Sequence, residues 1–487
     1  MPFSTLSHPD SAIAAIDARG GAEWTYGMLR ADASRLQAAL PSLGRKSLGL
    51  MLAENRYECL AAYLAALNSP TALILLDRSL NAALLHDFLE TYKPDWIFTL
   101  QPDAEFPSYA PSPTSEPGLL IAAEPRHVEI HPDLALLLNT SGSTGSPKLV
   151  RLSLANLDAN AGSIAQYLEL TPADRPITSL PMPYSYGLSV INSHLHAGAA
   201  IVFTEDGVLR REFWDAIDRY HCTSFAGVPY TYQLLLQAGL LNKRGASLNT
   251  LTQAGGRLDE KGIRQMLALS ETRGSKFFVM YGQTEASPRI SYVPFDRLAA
   301  KVGSVGIAIP GGSLAIDDET GELIYSGPNV MLGYAETRTD LAKGDELHGV
   351  LRTGDIARLD ADGYAYITGR LKRFLKLFGK RFNLDDVETV LSRHLASPVA
   401  CFGADDLLQI AFEQVASEQV AEGADTIADV REAEVREMVC KLFDLPRTVV
   451  NVTSIAKLPH TANGKLDYQA VAETAKLATA AAGCAAK

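Results

Sequence analysis

What this chain has little of narrows its class before any motif is read. Its five cysteines, Cys59, Cys222, Cys401, Cys440 and Cys484, are scattered and odd in number. No disulfide framework is expected, and the thiols read as reduced and mostly buried. No CxxC pair or Cys/His cluster occurs, so no zinc site is suggested. Positive charge is in deficit: 44 Lys and Arg against 56 Asp and Glu give a net charge of −12. That argues against broad nucleic-acid binding, which rests on a cationic surface, but leaves room for one polyanionic ligand in a locally basic pocket. Long apolar runs are missing too. Cys59 to Leu76 is interrupted by Asn68, Ser69 and Pro70, and reads as a buried helix, a turn and a strand instead of a membrane span. Met1-Pro2-Phe3-Ser4 lacks a basic region followed by an apolar core, so no signal peptide is expected. There is no repeat at solenoid periods. The expectation is a cytoplasmic globular protein with no membrane and no nucleic-acid partner.

With 47% hydrophobic and 21% charged residues, the 487-residue chain has an ordinary folded composition and room for several domains of about 100–200 residues each. Helical and strand signals alternate along it. An amphipathic run from Met28 to Leu40 precedes the apolar Ser47 to Leu52; a helix over Arg56 to Leu67 precedes a strand at Ala72 to Leu76. Pro102 to Pro117, rich in Pro, Ser and acidic residues, reads as a surface connection. The alternation resumes through Ala199 to Phe203, Arg211 to Tyr220, Thr223 to Ala226, Tyr230 to Leu240 and Thr250 to Gln253. It continues with a helix from Asp259 to about Thr272 and a strand at Phe277 to Met280. Such alternation favours a layered α/β architecture. Gly303 to Thr368 turns to Gly-rich, short alternating runs, a smaller β-rich unit. Gly369 to Lys372 marks a candidate domain boundary. Beyond it come a strand at Leu375 to Gly379, a helix at Asp385 to His394, and an Ala-rich tail, Ala472 to Lys487, that lacks a clear apolar face.

The stretch with the densest chemistry is Asn139-Thr140-Ser141-Gly142-Ser143-Thr144-Gly145-Ser146-Pro147-Lys148. An apolar run, Leu134 to Leu138, feeds it and a helical-looking segment follows from Ser153. Strand, small-residue loop and helix is a layout in which backbone N–H groups and hydroxyls converge on phosphate. The alternative is a flexible Gly/Ser surface turn. The loop is not a Walker A motif, which needs four residues between its glycines and a Ser or Thr after the Lys. Here two residues separate Gly142 from Gly145 and Leu149 follows Lys148, so a magnesium ligand would have to come from elsewhere.

Further pieces could supply it. Tyr281-Gly282-Gln283-Thr284-Glu285 follows a buried strand, and strand ends are where α/β folds bind ligands. There an aromatic can stack on a base, a Thr can contact phosphate and a carboxylate can hold magnesium. Thr353-Gly354-Asp355 offers a carboxylate for ribose hydroxyls. Arg370, Lys372 and Lys465, taken singly, read as solvated surface cations.

In their order these pieces resemble the adenylate-forming superfamily of acyl-CoA synthetases, peptide-synthetase adenylation domains and luciferases. The matching stretches are TSGSTGSPK at 140–148, QAGGRL at 253–258, MYGQTEAS at 280–287, GPNVMLGY at 327–334, LRTGD at 351–355, GRLKRFLKLFGKRFNLDDVE at 369–388 and TANGKLD at 461–467. The resemblance implies an α/β fold: a large N-terminal AMP-binding domain, 1–369, of layered α/β subdomains plus a β-rich unit, and a small mobile C-terminal α+β domain, 370–487, hinged near Lys372. It implies an ATP-dependent ligase that makes an acyl-adenylate and then a thioester, with ATP, Mg2+ and CoA or the phosphopantetheine of a carrier protein. Carried over by position, Thr140, Ser141, Gly142, Ser143, Thr144, Gly145 and Lys148 would hold the β- and γ-phosphates. Gly255, Gly256, Arg257 and Tyr281, with Gly282 and Gln283 beside it, would frame the adenine. Thr284 would contact the α-phosphate, Glu285 the magnesium ion and Asp355 the ribose, with Arg370 nearby. Lys465 would reach the reacting carboxylate.

The substrate side departs from the family. Many acyl-activating members carry an aromatic-His pair where Pro181 to Leu188 stands here, and Tyr184 occupies the position of that His. No Asp is present among these residues to pair with an α-ammonium group, which disfavours an amino-acid substrate. Tyr184, Tyr186, Val228, Pro229 and Tyr230 are candidates for an acyl or aryl pocket and equally for core. The expected substrate is a small carboxylic acid. Arg381 and Leu384 are similar to carrier-loading members, but some CoA ligases carry an Arg there too, so CoA and an acyl or peptidyl carrier protein both stay open as acceptor. Three alternatives remain at this point: a stand-alone amino-acid adenylation enzyme, an amidase-type hydrolase using Ser141, Ser143 and Lys148, and a silent binding module.

Overall fold

A computed structural model describes residues 2–485 except 81, 102–105, 115, 125–126, 140–147, 372, 378–379, 396, 405–406, 414–423, 444 and 462–465. Its architecture is mixed α/β. The largest sheet has eight strands in the order Gly333–Ala335, Leu149–Ser153, Leu134–Asn139, Thr71–Asp77, Ser47–Ala53, Trp96–Phe98, Leu119–Ala122, Tyr109–Pro111. Its centre is parallel and its flanks antiparallel. The central strands are apolar without a break because both faces are covered. Leu48, Leu50 and Leu52 enter one core with Leu85, Phe88 and Tyr92, while Met51 and Ala53 enter another with the helix Tyr57–Leu67. This is the period-two alternation of strand side chains.

A second sheet of five strands positions the site. Its order is Ser224–Gly227, Thr250–Gln253, Lys276–Gly282, Arg289–Val293, Ile307–Ala308. The first three run parallel, with Gly227 opposite Gln253 and Gln253 opposite Val279, so they end side by side. The helices Leu154–Tyr167 and Ser185–Ala197 close one face through Ile164, Tyr167 and Tyr186, against Ala226, Phe278 and Met280. Local signals set these helices. Ser153 and Asn156 form a reciprocal capping box at 3.0 and 2.9 Å, and Gly198 ends the second helix at φ 79°.

Residues Ile316–Leu323, Arg352–Asp360 and Tyr366–Lys487 form one compact unit and the remaining residues another. In the first of these, the strands Val399–Ala404, Leu407–Glu413 and Val450–Ile455 make an α+β core. Leu391, Val435 and Val439 cover one face; Leu458 and Val471 cover the other. Among the described residues no helix is long and apolar enough to cross a membrane.

Three expectations change. The Gly/Ser loop joins strand Leu134–Asn139 to strand Leu149–Ser153, antiparallel with Asn139 opposite Leu149. The strand–loop–helix reading therefore fails: an apolar Leu-Val-Arg-Leu run hid a buried strand ahead of the helix. Pro102 to Pro117 is not all connection, since Tyr109–Pro111 is the sheet's edge strand, a position where Pro is tolerated. The Ala-rich tail is helical over Tyr468–Ala485, with Val471 and Ala475 buried, because two small contacts suffice against an already formed sheet. Of the thiols, Cys59, Cys222 and Cys401 are buried and Cys440 is half-buried.

Leu136 lies at the centre of the large sheet and is fully buried. Leu136→Ala should lower stability by about 2–5 kcal/mol, read as a shifted denaturant midpoint at unchanged slope.

Candidate active site

The parallel strands of the five-stranded sheet deliver three chain segments to one edge: Val228-Pro229, Ala254-Gly255-Gly256 and Tyr281 to Glu285. Gly255 has φ +82°, and a Cβ there would stand 2.4 Å from the Tyr184 hydroxyl and 3.2 Å from Val228. Gly256 is similarly close to Pro229, at 3.3 Å. Tyr184, Val228 and Pro229 are thus the walls against which the Gly-Gly turn is pressed. The side chain of Gln253 reaches forward to the carbonyl of Gly256 at 2.9 Å and holds the turn. Burial pushes the Tyr184 phenol up to about 12, so it presents a neutral hydroxyl. Arg257 is exposed. Tyr186 is committed to the core: its hydroxyl meets the carbonyl and hydroxyl of Thr252 at 2.9 and 2.8 Å.

The third segment turns sharply after Gly282, where any Cβ would collide with the carbonyl of Pro288. Tyr281, Gly282 and Gln283 are half-buried there. Thr284 then lies with its hydroxyl 3.1 Å from that of Ser185. Ser185 is the first residue of a 13-residue helix, whose unpaired N–H groups favour an anion. Beside it, Glu285 accepts a 2.8 Å hydrogen bond from Tyr334. Burial first, then the Glu285 carboxylate, raises the Tyr334 phenol well above its usual range and keeps it a donor. The Lys148 ammonium sits 3.8 Å from the centre of the same ring and 3.2 Å from Glu336. One tyrosine therefore links the Lys that ends the Gly/Ser loop to the carboxylate at the distant strand end.

Tyr334 is itself held by Arg151. That guanidinium is fully buried, donates to the carbonyls of Tyr334 at 3.0 Å and Leu332 at 3.3 Å, and pairs with Glu346. Neither Ser185 nor Tyr334 was given a role by sequence reasoning, although both lie inside quoted segments. A hydroxyl at a helix start and an aromatic ending GPNVMLGY were the available signals.

The other compact unit carries Asp355 and Arg370. Asp355 is buried and receives the Arg370 Nε at 2.9 Å. Its turn is held by Thr353 donating to the carbonyl of Leu323 at 2.7 Å and by Gly354 N–H donating to Glu322 at 2.8 Å. Just beyond, Arg373 pairs with Glu388 at 2.7 Å and donates to the Tyr468 hydroxyl at 2.7 Å and the Cys401 carbonyl at 2.9 Å. The predicted loop residues Thr140, Ser141, Gly142, Ser143, Thr144 and Gly145, the hinge residue Lys372 and the catalytic Lys465 lie outside the described residues.

A family model described as AMP-binding enzyme matches residues 4–335. The oxalate–CoA ligase of Arabidopsis thaliana is 30% identical over 363 residues, covering 70% of this chain and 68% of that protein. The probable CoA ligase CCL9 of Humulus lupulus is 29% identical over 386 residues, covering 75% and 70%. The fold is also that of o-succinylbenzoate CoA synthetase from Bacillus subtilis in complex with its acyl-adenylate intermediate, with TM-score 0.75 and 22% identity over 97% of this chain and 98% of that one.

The Gly255 contact is directly testable. Gly255→Ala should destabilise by about 1–3 kcal/mol through the left-handed backbone and the clash with Tyr184. Adding Tyr184→Phe removes only the clash, so the double variant should recover part of the loss. Strict additivity in the two-mutation cycle, read by denaturation, would contradict the packing described.

Proposed function

This chain belongs to the AMP-binding enzyme family, and we propose that it divides the work of an ATP-dependent acid–thiol ligase among the residues above. The reaction activates a carboxylic acid as an acyl-adenylate and passes the acyl group to the thiol of CoA. A carboxylate resists nucleophiles because its charge repels them and its oxygen leaves badly. Attack of one carboxylate oxygen on the α-phosphorus of ATP forms the mixed anhydride and breaks the bond to pyrophosphate. The thiol sulfur then attacks the acyl carbon, AMP departs with the bonding electrons, and the thiol proton is released.

The observation that carries this assignment is the pairing of Thr284 with Ser185, and of Tyr334 with both Glu285 and Lys148, beside a single strand end. Two hydroxyls at a helix N-terminus suit the α-phosphate, where negative charge builds as the carboxylate attacks. Lys148 and the loop 140–147 suit the departing β- and γ-phosphates. Among the described residues no three His, Cys, Asp or Glu side chains converge on a metal. The half-buried carboxylate of Glu285 is a single hard oxygen donor. Such a donor fits magnesium arriving with the nucleotide, an ion that keeps most of its shell as water and phosphate oxygen. The Gly255–Gly256 turn and Tyr281 frame the adenine, and Asp355, oriented by Arg370, takes the ribose hydroxyls. Lys465 supplies positive charge to the attacking carboxylate. Lys372 is the hinge about which residues 370–487 move between the two half-reactions. CoA is the acceptor by analogy with the named relatives; loading of a carrier protein rests only on the resemblance at Arg381 and Leu384.

A pyrophosphate-release screen across fatty, aryl, amino and dicarboxylic acids, followed by mass spectrometry with CoA and a pantetheinylated carrier, tests the reading. ATP-independent amide hydrolysis would overturn it. Lys465→Ala should abolish most adenylate formation while sparing thioester formation from supplied acyl-adenylate. Lys372→Pro should do the reverse, because a fixed φ restricts rotation. Glu285→Gln should lower kcat for adenylation on the order of 100-fold.

A further inference from the structure

Thr284 and Glu285 lie in a single 3-10 turn, Thr284–Ala286, and a turn of that length cannot hold a shape by itself. One nearby stretch of chain holds it. The carbonyl of Glu285 accepts the Met331 N–H at 2.9 Å. The carbonyls of Ala286 and Arg289 accept from the side-chain amide of Asn329 at 2.6 and 2.7 Å. In return the Ser287 hydroxyl donates to the Asn329 carbonyl at 2.8 Å. Asn329 is only 1% exposed, and both hydrogens of its amide are used on the turn. A third partner sets which way that amide faces. Tyr325, on the strand Glu322–Ser326, donates to its Oδ1 at 2.6 Å and leaves the NH2 group toward the turn. Burial raises the Tyr325 phenol and keeps it a donor. Glycines make room for that hydroxyl: a Cβ at Gly327 or Gly312 would stand 2.4 or 2.5 Å from it.

The far end of the stretch is anchored elsewhere. Leu332 N–H donates to the Arg151 carbonyl at 2.8 Å, and Gly333–Ala335 pairs with Leu149–Ser153 in the eight-stranded sheet. From there Tyr334 reaches the Glu285 carboxylate. Residues 329–334 thus grip Glu285 twice, at its main chain and at its side chain. We propose that Asn329 is a positioning residue for adenylation: by holding the carbonyls of Ala286 and Arg289 it sets the direction in which Glu285 presents its carboxylate to magnesium. This rests on the ligase reading above, with Glu285 as the metal's protein donor. Groups that orient a metal-binding carboxylate govern affinity nearly as much as the ligand itself. Without the amide, two enclosed carbonyls lose their donor and the turn relaxes to find others. Thr284 is held separately, through Ser185, so the contact to the α-phosphate is less exposed to that change.

The test is calorimetric, on the full-length protein without an acid substrate, so that no turnover intervenes. ATP is titrated with and without magnesium, and AMP serves as the metal-free control. In wild type magnesium should tighten ATP binding. Asn329→Ala should cut that gain by about tenfold, while AMP affinity changes far less. On a Glu285→Gln background the same substitution should cost nothing further, because Asn329 acts through Glu285. An unchanged magnesium gain, equal losses for AMP and ATP, or full additivity with Glu285→Gln overturns the proposal. If Asn329→Ala does not fold, Tyr325→Phe decides, since it removes one oxygen and frees the amide to turn. A reduced magnesium gain in that variant supports the role of Asn329, and an unchanged gain overturns it. Wild-type ATP binding that is indifferent to magnesium overturns the roles of Glu285 and Asn329 together, and pyrophosphate release in the acid screen then leaves the ligase reading standing. No pyrophosphate release with any acid overturns the ligase reading, and the role of Asn329 in adenylation falls with it.

Discussion

The buried guanidinium of Arg151 governs where Tyr334 stands between Lys148 and Glu285. It lies on an interior strand, fully enclosed, and its donors go to the backbone of Leu332 and Tyr334 and to Glu346. Desolvating a guanidinium is costly unless its donors are used, and here they pin the segment that carries Tyr334. The phenol then reaches Glu285 while its ring faces Lys148. Residues separated by more than a hundred positions become one electrostatic group because a buried cation fixes the segment between them. Removing Arg151 would therefore loosen Lys148 and Glu285 without touching either.

The strand ends around Gly255 are organised by shape more than by charge. Three parallel strands end together, which brings Val228, Gly255 and Tyr281 to one edge. Glycine at 255 lets the backbone pass where Tyr184 and Val228 leave no space for a side chain. Below that edge Tyr186 seals the sheet through Thr252, and the Arg289 Nε is enclosed without a partner.

Buried charge pairs of the other compact unit cluster between Asp355 and Glu388. Asp355 and Arg370 are paired, and Arg373 is tied to Glu388, Tyr468 and Cys401 within the same compact unit. The chain is thus anchored immediately after residue 372. Arg373 couples the helix Leu384–Leu395 to the strand bearing Cys401.

Much of this was legible in the chain alone. Apolar runs such as Ser47 to Leu52 and Phe277 to Met280 could only be buried strands, because burial on both faces removes every polar position. Ordered motifs from the Gly/Ser loop to Asn463-Gly464-Lys465 implied adenylation chemistry, because each carries groups matched to phosphate, ribose or carboxylate. The strand at Leu149–Ser153 was missed, since an apolar run before a capped helix has the same local pattern whether it extends the loop or pairs in a sheet. Tyr334 and Arg289 were invisible for a related reason. A phenol's partner and a cation's lack of one depend on residues far away in sequence, and only packing brings them within hydrogen-bonding distance. Sequence by itself determined the reaction class, because its groups come in short contiguous motifs. Tertiary structure alone decided that Lys148 and Glu285 share Tyr334 and that the Arg289 Nε is enclosed without a partner, because those relations arise only when strand ends and buried charges are assembled in space.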